Sequence, residues 1–501
     1  MRSIDRFLNS VTMYRLLVYV LGILSGLSIV FAFMGRLSAS PTELVISLGL
    51  IVGSAYVTDR GFRWLFNTPT NMESSLITAL ILFLIIHPAD SVVTAVALVA
   101  GGAISSASKF LLSYNGKHIF NPAAFAAAVL SLTGLQATTW WVGNSAFWPF
   151  SLLLGLAVVR KIRRFPLAIA FVAVSAALQA LVYAYAHEPL IANMEQALIA
   201  SPLIFLATIM LTEPATMPPR RNQQLVFACL IAVMYVMAWE IGPVKIYPEV
   251  ALLLGNIYAF IVSPKFKVRL QLKEVQKISD RVYSYVFQPD RRLDFLPGQY
   301  MEWTLPGVPY DSRGNRRTFT IASSPTEQDV HLGMKYYEPA SMYKAAFAEL
   351  TPGAVVYGSQ LAGNFLLQGN EHKKLAFIAG GIGITPFRSM IKYVTDKNMP
   401  VDIVLLYAVA NPDEFAYAEQ LKAARGVGVR TIPIVTAAGF AAPGVVSAQL
   451  NAEVIGKLIP DYGERLFYVS GPNAMVDATK QHLHVLGVRR KNVKTDHFSG
   501  Y

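Results

Sequence analysis

The sequence predicts a polytopic all-α membrane domain followed by a small antiparallel β-barrel and a parallel α/β domain. Three observations predict it. Nearly all the long uncharged runs lie in residues 1–263. They raise the hydrophobic content to 54% and the mean hydropathy to +0.43, too apolar for a wholly soluble protein. From Val268 to about Gln368, short alternating runs are separated by turn signals such as Leu296-Pro297-Gly298-Gln299 and Thr351-Pro352-Gly353, the pattern of a small barrel. Beyond Lys374, short apolar strands alternate with helical stretches, as in a parallel sheet. The expected boundaries are 1–264, 265–370 and 371–501.

A bilayer span needs about 20 mostly apolar residues. Ten runs qualify as candidates, at 16–34, 43–58, 74–88, 91–108, 121–135, 146–159, 165–186, 196–212, 223–241 and 247–263, some of them short enough to be re-entrant or broken helices instead. With the N-terminus inside, Arg2, Arg6, Arg15, Arg60, Arg63, Lys109, Lys117, Arg160, Lys161, Arg163, Arg164, Arg220 and Arg221 fall on the cytoplasmic side, and only Arg36 and Lys245 outside. That sorting is the positive-inside rule, and it expects a multi-pass protein of the inner (cytoplasmic) membrane with the second half cytoplasmic. It also accounts for the formal charge of +12, so nucleic acid is not an expected partner; the lipid bilayer is. The first apolar run is too long for a signal-peptide core and is read as a retained span. The single cysteine, Cys229, excludes an in-chain disulfide and a four-cysteine iron–sulfur cluster. Haem would need paired histidines on facing helices, and His87, His118 and His187 each sit near a run's end. No metal site is expected.

The ten runs divide five and five, an odd number that would invert a duplicated unit in the membrane. His87-Pro88-Ala89-Asp90 matches Glu213-Pro214-Ala215-Thr216 in position, and Asn121-Pro122 matches Pro248-Glu249. Proline beside a polar residue in both halves is the signature of broken helices lining a site, which makes Asn121, Pro122, Glu213 and Pro214 the candidate electron path. Proline at a helix start also occurs without any repeat, so both readings stand. Lys117-His118-Ile119-Phe120-Asn121-Pro122-Ala123-Ala124 and Met210-Leu211-Thr212-Glu213-Pro214-Ala215-Thr216 resemble the signature loops of a membrane family. It holds the B subunit of the sodium-pumping NADH:quinone oxidoreductase and the D subunit of the Rnf complex. The resemblance implies a ten-helix electron-carrying subunit with a flavin on the threonine of a Ser-Gly-Ala-Thr motif. The nearest string here, Gln136-Ala137-Thr138-Thr139, lacks the glycine, so the expectation is a non-covalent second flavin or a quinone.

In the second half, Arg317-Thr318-Phe319-Thr320 reads as a flavin strand. Arg317 can fork onto a pyrophosphate. Phe319, on the same face of an extended strand, can lie against the ring system. Thr320 can offer a hydrogen bond to the reactive N5 nitrogen. An ordinary amphipathic strand is the alternative. Gly380-Gly381-Ile382-Gly383-Ile384-Thr385-Pro386 follows a strand and precedes a helix, the geometry that offers backbone N–H groups to a pyrophosphate. Together these segments resemble the ferredoxin–NADP reductase family over residues 268–501. The resemblance implies FAD on Arg317, Thr318, Phe319 and Thr320. It implies a pyrophosphate segment at Ser341 beside Tyr343, with Ala340 where glycine is usual, and a Gly-x-Phe turn at Gly363-Asn364-Phe365. It implies a nicotinamide-cofactor loop at Gly380, Gly381, Gly383, Thr385 and Pro386, and a nicotinamide turn at Ser470-Gly471-Pro472. The ending His497-Phe498-Ser499-Gly500-Tyr501 is similar to the family's aromatic C-terminus by the flavin. Thr320, Ser470 and Tyr501 are then the candidates at the reacting centre. The loop Ala408-Val409-Ala410-Asn411-Pro412-Asp413-Glu414 is acidic and lacks arginine, which leans to NADH over NADPH, although Arg425 or Arg430 could supply a cation.

The expected function is therefore a membrane-bound flavoprotein oxidoreductase that takes hydride from NAD(P)H onto FAD. Its electrons would go into or across the membrane to quinone, a second flavin or another acceptor, with further electron-transfer subunits or a ferredoxin as partners. Two alternatives stand beside it. One is a component of a redox-driven cation pump, with Asp90, Glu213, Glu240 and Glu249 as its acids. The other is a soluble-type reductase merely anchored by its membrane half.

Overall fold

The computed structural model describes residues 7–8, 11–66, 72–114, 117–241, 244–263, 267–278, 281–306, 315–337, 340–437, 440 and 442–498. The chain divides into two compact units, Met1–Lys265 and Phe266–Tyr501.

The first unit is helical: α1 Met13–Phe33, α2 Pro41–Phe66, α3 Met72–Ile85, α4 Val92–Leu111, α5 Pro122–Leu132, α6 Trp148–Ile162, α7 Phe165–Tyr185, α8 Leu190–Ile199, α9 Leu203–Met210, α10 Arg221–Met237 and α11 Pro248–Val262. Every apolar run of the sequence is at least partly helical, but the expectation of ten spans is overturned. Among the described residues only α1, α2, α4 and α7 are long and apolar enough to cross a membrane, or five spans if α8 and α9, bent by 49° at their break, count as one. Pro122, Pro149 and Pro248 sit at helix starts near the beginnings of their own runs, where the missing N–H costs nothing, so those runs are short from the outset. α5 stops at Leu132 before Gly134, and Pro202 alone splits a run, parting α8 from α9. With 14 residues in α3 and 11 in α5, these helices rise only about 21 and 16 Å, well short of a hydrocarbon core.

The short helices form the centre. In α5, Pro122, Ala123, Ala124, Ala126, Ala127, Ala128 and Leu130 are buried, and Leu206–Met210, a π-turn within α9, is buried throughout. The long helices turn large apolar side chains outward instead: Val57 on α2 is 68% exposed, and Ile169 and Leu181 on α7 are 62% and 66% exposed. Outward apolar faces around a packed apolar centre invert the arrangement of a water-soluble bundle. α2 and α4 approach closely because Gly102 has no side chain; a Cβ there would stand 2.7 Å from the Ile51 carbonyl oxygen.

The second unit holds two sheets. The strands β1 Lys267–Lys277, β2 Val282–Pro289, β3 Tyr300–Thr304, β4 Arg316–Thr320, β5 Val330–Lys335 and β6 Val355–Ala362 pair antiparallel in the order β4-β3-β6-β1-β2-β5, with α12 Met342–Ala348 beside them. The strands β7 Lys374–Gly380, β8 Asp402–Val409, β9 Val429–Val435, β10 Val446–Ser447, β11 Leu466–Pro472 and β12 Val493–Phe498 are all parallel, in the order β10-β9-β8-β7-β11-β12. Helices α13 Thr385–Asp396, α14 Ala418–Ala423, α15 Ala452–Leu458 and α16 Asn473–Val485 accompany this sheet. Residues of β7 bury on both faces, Phe377 and Ala379 in one apolar cluster and Ala376 and Ile378 in another, which is why the strand reads as a continuous apolar run.

The α2–α4 contact is testable. Gly102→Val should destabilise the protein by roughly 1–3 kcal/mol through overpacking. Gly53→Ala, on the open side of α2 with no atom within 4 Å, should leave the Tm in detergent unchanged or raise it.

Candidate active site

The two sheets of the second unit meet across a cleft of about 400 Å³. Its lining includes Phe319 and Thr320 from the end of β4, Gly380, Gly381 and Thr385 from the turn after β7, and Pro472 from the end of β11. Strand geometry brings them together. β7 and β11 are neighbours in parallel, with Ala379 opposite Ser470, so both turns leave the sheet at one edge. Strand, turn and helix then follow without a gap: β7 ends at Gly380, a single 3₁₀ turn covers Gly381–Ile384, and α13 begins at Thr385 with Pro386 in its first turn. That is a helix N-terminus behind a glycine turn, suited to a pyrophosphate. Gly381 has a φ of +54°, a conformation that favours glycine. Gly383 is required for another reason. A Cβ there would strike the Ser470 carbonyl oxygen and stand 2.7 Å from Gly471 Cα, so the residue lets the two turns touch.

The remaining expected residues are placed as follows. The Arg317 guanidinium lies over the Tyr343 ring at 5.0 Å and donates to the Arg316 carbonyl oxygen at 2.7 Å. Phe319 and Tyr343 have ring centroids 6.1 Å apart. Thr318 is exposed between them. Ser341 is the N-cap of α12, its hydroxyl accepting from Lys344 N. Ser470 Oγ is buried and has no hydrogen-bond partner. The Gly363-Asn364-Phe365 turn is not brought to the cleft lining: Gly363 lies against Gln299 and Tyr300, Asn364 is exposed, and Phe365 packs between Phe387 and Tyr468. Tyr501 lies outside the described residues. His497 and Phe498 belong to β12, opposite Gly471 and Pro472.

Sequence reasoning passed over the two lysines of this cleft, Lys335 and Lys344. Lys335, Tyr337, Lys344 and Glu414 all line it. Lys335 Nζ pairs with Glu414 Oε2 at 2.7 Å. One of the two carboxylates behind the NADH lean is therefore already matched. Lys344 is buried, and its Nζ donates to the Lys335 carbonyl oxygen at 2.9 Å. Burial lowers its pKa to about 8. The sequence held a signal for it: a lysine in the first turn of a helix, with no acid there, opposes the helix dipole unless an anion comes. The residues fit dinucleotides. The cleft offers a glycine cradle that side chains would fill, a buried ammonium on one wall, aromatic and threonine side chains beside it, and an orphaned serine hydroxyl behind the turn.

Residues 377–481 match the oxidoreductase NAD-binding domain family. Among curated proteins, the chain is similar to the reductase component of propane 2-monooxygenase from Rhodococcus jostii, 23% identical over 245 residues, covering 46% of this chain and 64% of that protein. It is also similar to methane monooxygenase component C from Methylosinus trichosporium, 28% identical over 152 residues, covering 29% of this chain and 43% of that protein. A solved ferredoxin NADP+ reductase from Neisseria gonorrhoeae aligns with a TM-score of 0.41 at 19% identity, covering 47% of this chain and 99% of that one. Residues 377–481 form an oxidoreductase NAD-binding domain, and the C-terminal half as a whole is similar to NAD(P)H-dependent flavin reductases. The chain thus spans less than two thirds of the length of those first two relatives.

Two outcomes follow for this reductase domain. Arg317→Ala and Lys344→Met should each weaken FAD binding by roughly 10- to 100-fold, the worth of one charge-assisted hydrogen bond, measured by flavin fluorescence on reconstitution. Lys344 carries its charge below about pH 8 and loses it above, so FAD affinity should fall as pH rises through 8. The flavin-free protein should do the reverse. Its unfolded state holds the Lys344 proton up to the ordinary lysine value of 10.5 while the folded state gives it up near 8, so the lysine's burial cost fades, and stability rises, between those values. Lys344→Met should abolish both trends.

Proposed function

We propose that the whole chain is a membrane-bound oxidoreductase that oxidises NADH on its C-terminal half and delivers electrons to a quinone or a second flavin held by its N-terminal unit. The observation that carries the reading is the union in one chain of an FAD- and NAD-binding reductase domain with a helical unit whose polar residues converge inside it. Asn121 caps α5, accepting from Ala124 N at 3.0 Å, and its Nδ2 donates to Glu213 Oε2 at 2.8 Å. His118 Nε2 meets Glu213 Oε1 at 3.0 Å, and Thr216 Oγ1 donates to Glu213 Oε2 at 2.9 Å. Asn256 on α11 accepts from Asn121 N at 2.8 Å and donates to the Thr216 carbonyl oxygen at 3.3 Å. The loops around Asn121-Pro122 and Glu213-Pro214 thus meet at one site, as an acceptor pocket requires. The outward apolar faces of α2 and α7 support the bilayer as surroundings.

A bound flavin supplies the exchange between a two-electron hydride and single electrons. The chain's own residues do the rest. Arg317 and Lys344 neutralise its pyrophosphate, Phe319 and Thr320 orient its ring, and the Gly380–Thr385 turn takes the phosphates of the nicotinamide nucleotide. NADH is favoured because no lysine or arginine stands in the 408–414 loop and Asp413 would repel a 2′-phosphate, Glu414 being matched by Lys335. The anchor reading remains the second one, favoured by the finding that among the described residues only four helices, or five with the bent pair, reach span length.

The two readings part on one measurement with the full-length protein. Wild type should oxidise NADH with a soluble dye and with a membrane quinone. Asn121→Ala and Glu213→Gln should leave dye reduction intact and slow quinone reduction by about tenfold or more, the loss expected when a hydrogen bond to a charged group is removed from a site. Equal quinone rates in well-folded variants would select the anchor.

A further inference from the structure

We propose that Gly333, together with the Arg388–Glu327 ion pair, sets the separation between the flavin-bearing and nicotinamide-bearing walls of the cleft; the idea rests on the reductase reading above and assigns positioning residues to that site. The segments that hold the cofactors also hold each other. Two residues after Thr320, the Ala322 carbonyl oxygen accepts from Arg388 Nη1 at 2.9 Å. Arg388 stands three residues into α13 from Thr385. Its two terminal nitrogens grip Glu327 in a fork, Nη1 to Oε2 at 2.6 Å and Nη2 to Oε1 at 2.9 Å. The arginine side chain is 1% exposed, so the pair is shielded from water and salt. The next residue repeats the link, Ser389 Oγ donating to the Ser323 carbonyl oxygen at 2.6 Å. Glu327 itself is braced by Ser324 N at 2.6 Å.

Gly333, on β5, is the contact point. A Cβ there would stand 2.6 Å from Thr385 Cγ2, 2.8 Å from Tyr417 Oη and 3.2 Å from Ile382 Cδ1. Thr385 and Ile382 belong to the glycine turn, and the Thr385 hydroxyl is tied to the Ile382 carbonyl oxygen at 3.2 Å. Tyr417 cannot swing away freely, because the Arg388 guanidinium lies over its ring at 5.3 Å. One added methyl group therefore acts as a wedge at the place where the barrel touches the nucleotide turn. Reaction across the cleft depends steeply on separation, a misplacement of about 1 Å costing up to about 100-fold. Gly333 lines the cleft and its wedge presses on Thr385 of the nucleotide turn, so Gly333→Ala should weaken nucleotide binding and rate together. Glu327 does not line the cleft, so in Glu327→Gln binding and rate should part.

The test uses the full-length protein with Gly333→Ala, Glu327→Gln, and Gly463→Ala as control, the last having no atom within 4 Å of its would-be Cβ. Flavin content should stay within about twofold of wild type in both variants, and NAD+ affinity within about twofold in Glu327→Gln, while NADH-driven bleaching of the flavin slows roughly 10- to 100-fold and shows a larger deuterium isotope effect with 4-deuterated NADH. In flavin-free protein, amide hydrogen exchange over 322–327 and 382–389 should rise in both variants and not in the control. Bleaching and exchange both unchanged in Gly333→Ala and Glu327→Gln would overturn the proposal. If wild type itself were not bleached by NADH, the reductase reading would fall, and the exchange measurement alone would still decide whether these residues clamp the two walls.

Discussion

The reductase half depends on two backbone turns being able to touch. Gly383 rests against Ser470 and Gly471 with no room for a side chain, and that contact joins the ends of β7 and β11. Parallel neighbours put their C-terminal ends at the same edge, where ligands of open α/β sheets bind. The glycine turn, the first turn of α13 and the Ser470–Pro472 turn therefore form one surface rather than three. The barrel supplies the opposite wall through Phe319 and Thr320, and the charges between the walls come as Lys335 with Glu414 and as Lys344. Only Lys344 lacks a carboxylate among its described hydrogen bonds and ion pairs. A cleft built to bind phosphates keeps one cation in reserve; a cleft filled for stability alone would have matched it.

The N-terminal unit solves a different problem. Helices broken by proline leave backbone and side-chain polar groups that an apolar setting cannot satisfy. Two of the breaks, at the starts of α5 and α11, are met by a carboxylate with its own donors. Glu249, 0% exposed in the first turn of α11, accepts from Trp140 Nε1 at 2.9 Å and from Thr138 Oγ1 at 2.7 Å. Trp140 is held in turn by its backbone N–H on the Ile85 carbonyl oxygen at 2.9 Å. Glu213 does the same for the start of α5 through Asn121. The two carboxylates differ in one respect that matters for function. Glu249 is sealed, whereas the Glu213 and His118 side chains keep 25% and 19% of their surface open. Of the cation-pump acids considered, Asp90 and Glu240 are exposed, Glu213 is half-buried, and Glu249 serves as a tie.

What the sequence disclosed was what local patterning controls. Strand β7 was legible because both its faces are buried and it reads as an uninterrupted apolar run, and the glycine turn after it because positive φ and close backbone approach both demand glycine. β4 was legible through the alternation of Arg317, Phe319 and their neighbours. β10 and β12 were missed: one has two residues, and the other, Val493-Lys-Thr-Asp-His-Phe, carries no apolar run and joins the sheet only as an edge. The Gly363–Phe365 motif was seen, but its aromatic ring is spent on the core between Phe387 and Tyr468, a long-range packing choice no three-residue string reveals. The ten-span expectation failed for a related reason. Hydropathy counts apolar residues, and Ala123–Ala128 is as apolar in a central half-helix as in a span; its length is set by Pro122 at the start and by the end at Leu132 before Gly134.

That failure bears on the choice between wire and anchor. A unit that merely holds a reductase at a surface needs long apolar helices and nothing at its centre. Here the long helices α1, α2, α4 and α7 are joined by a set of short ones, and the centre carries polar groups whose burial costs free energy unless every donor and acceptor is matched. The matching is extensive: Asn121 alone bonds to Ala124, Glu213 and Asn256, tying α5, the loop after α9, and α11. Apolar residues of similar volume would hold three such segments together with less risk. On the proposed reading, the polar centre is retained for what passes through it, and the small number of span-length helices reflects a bundle whose middle has been given over to a site.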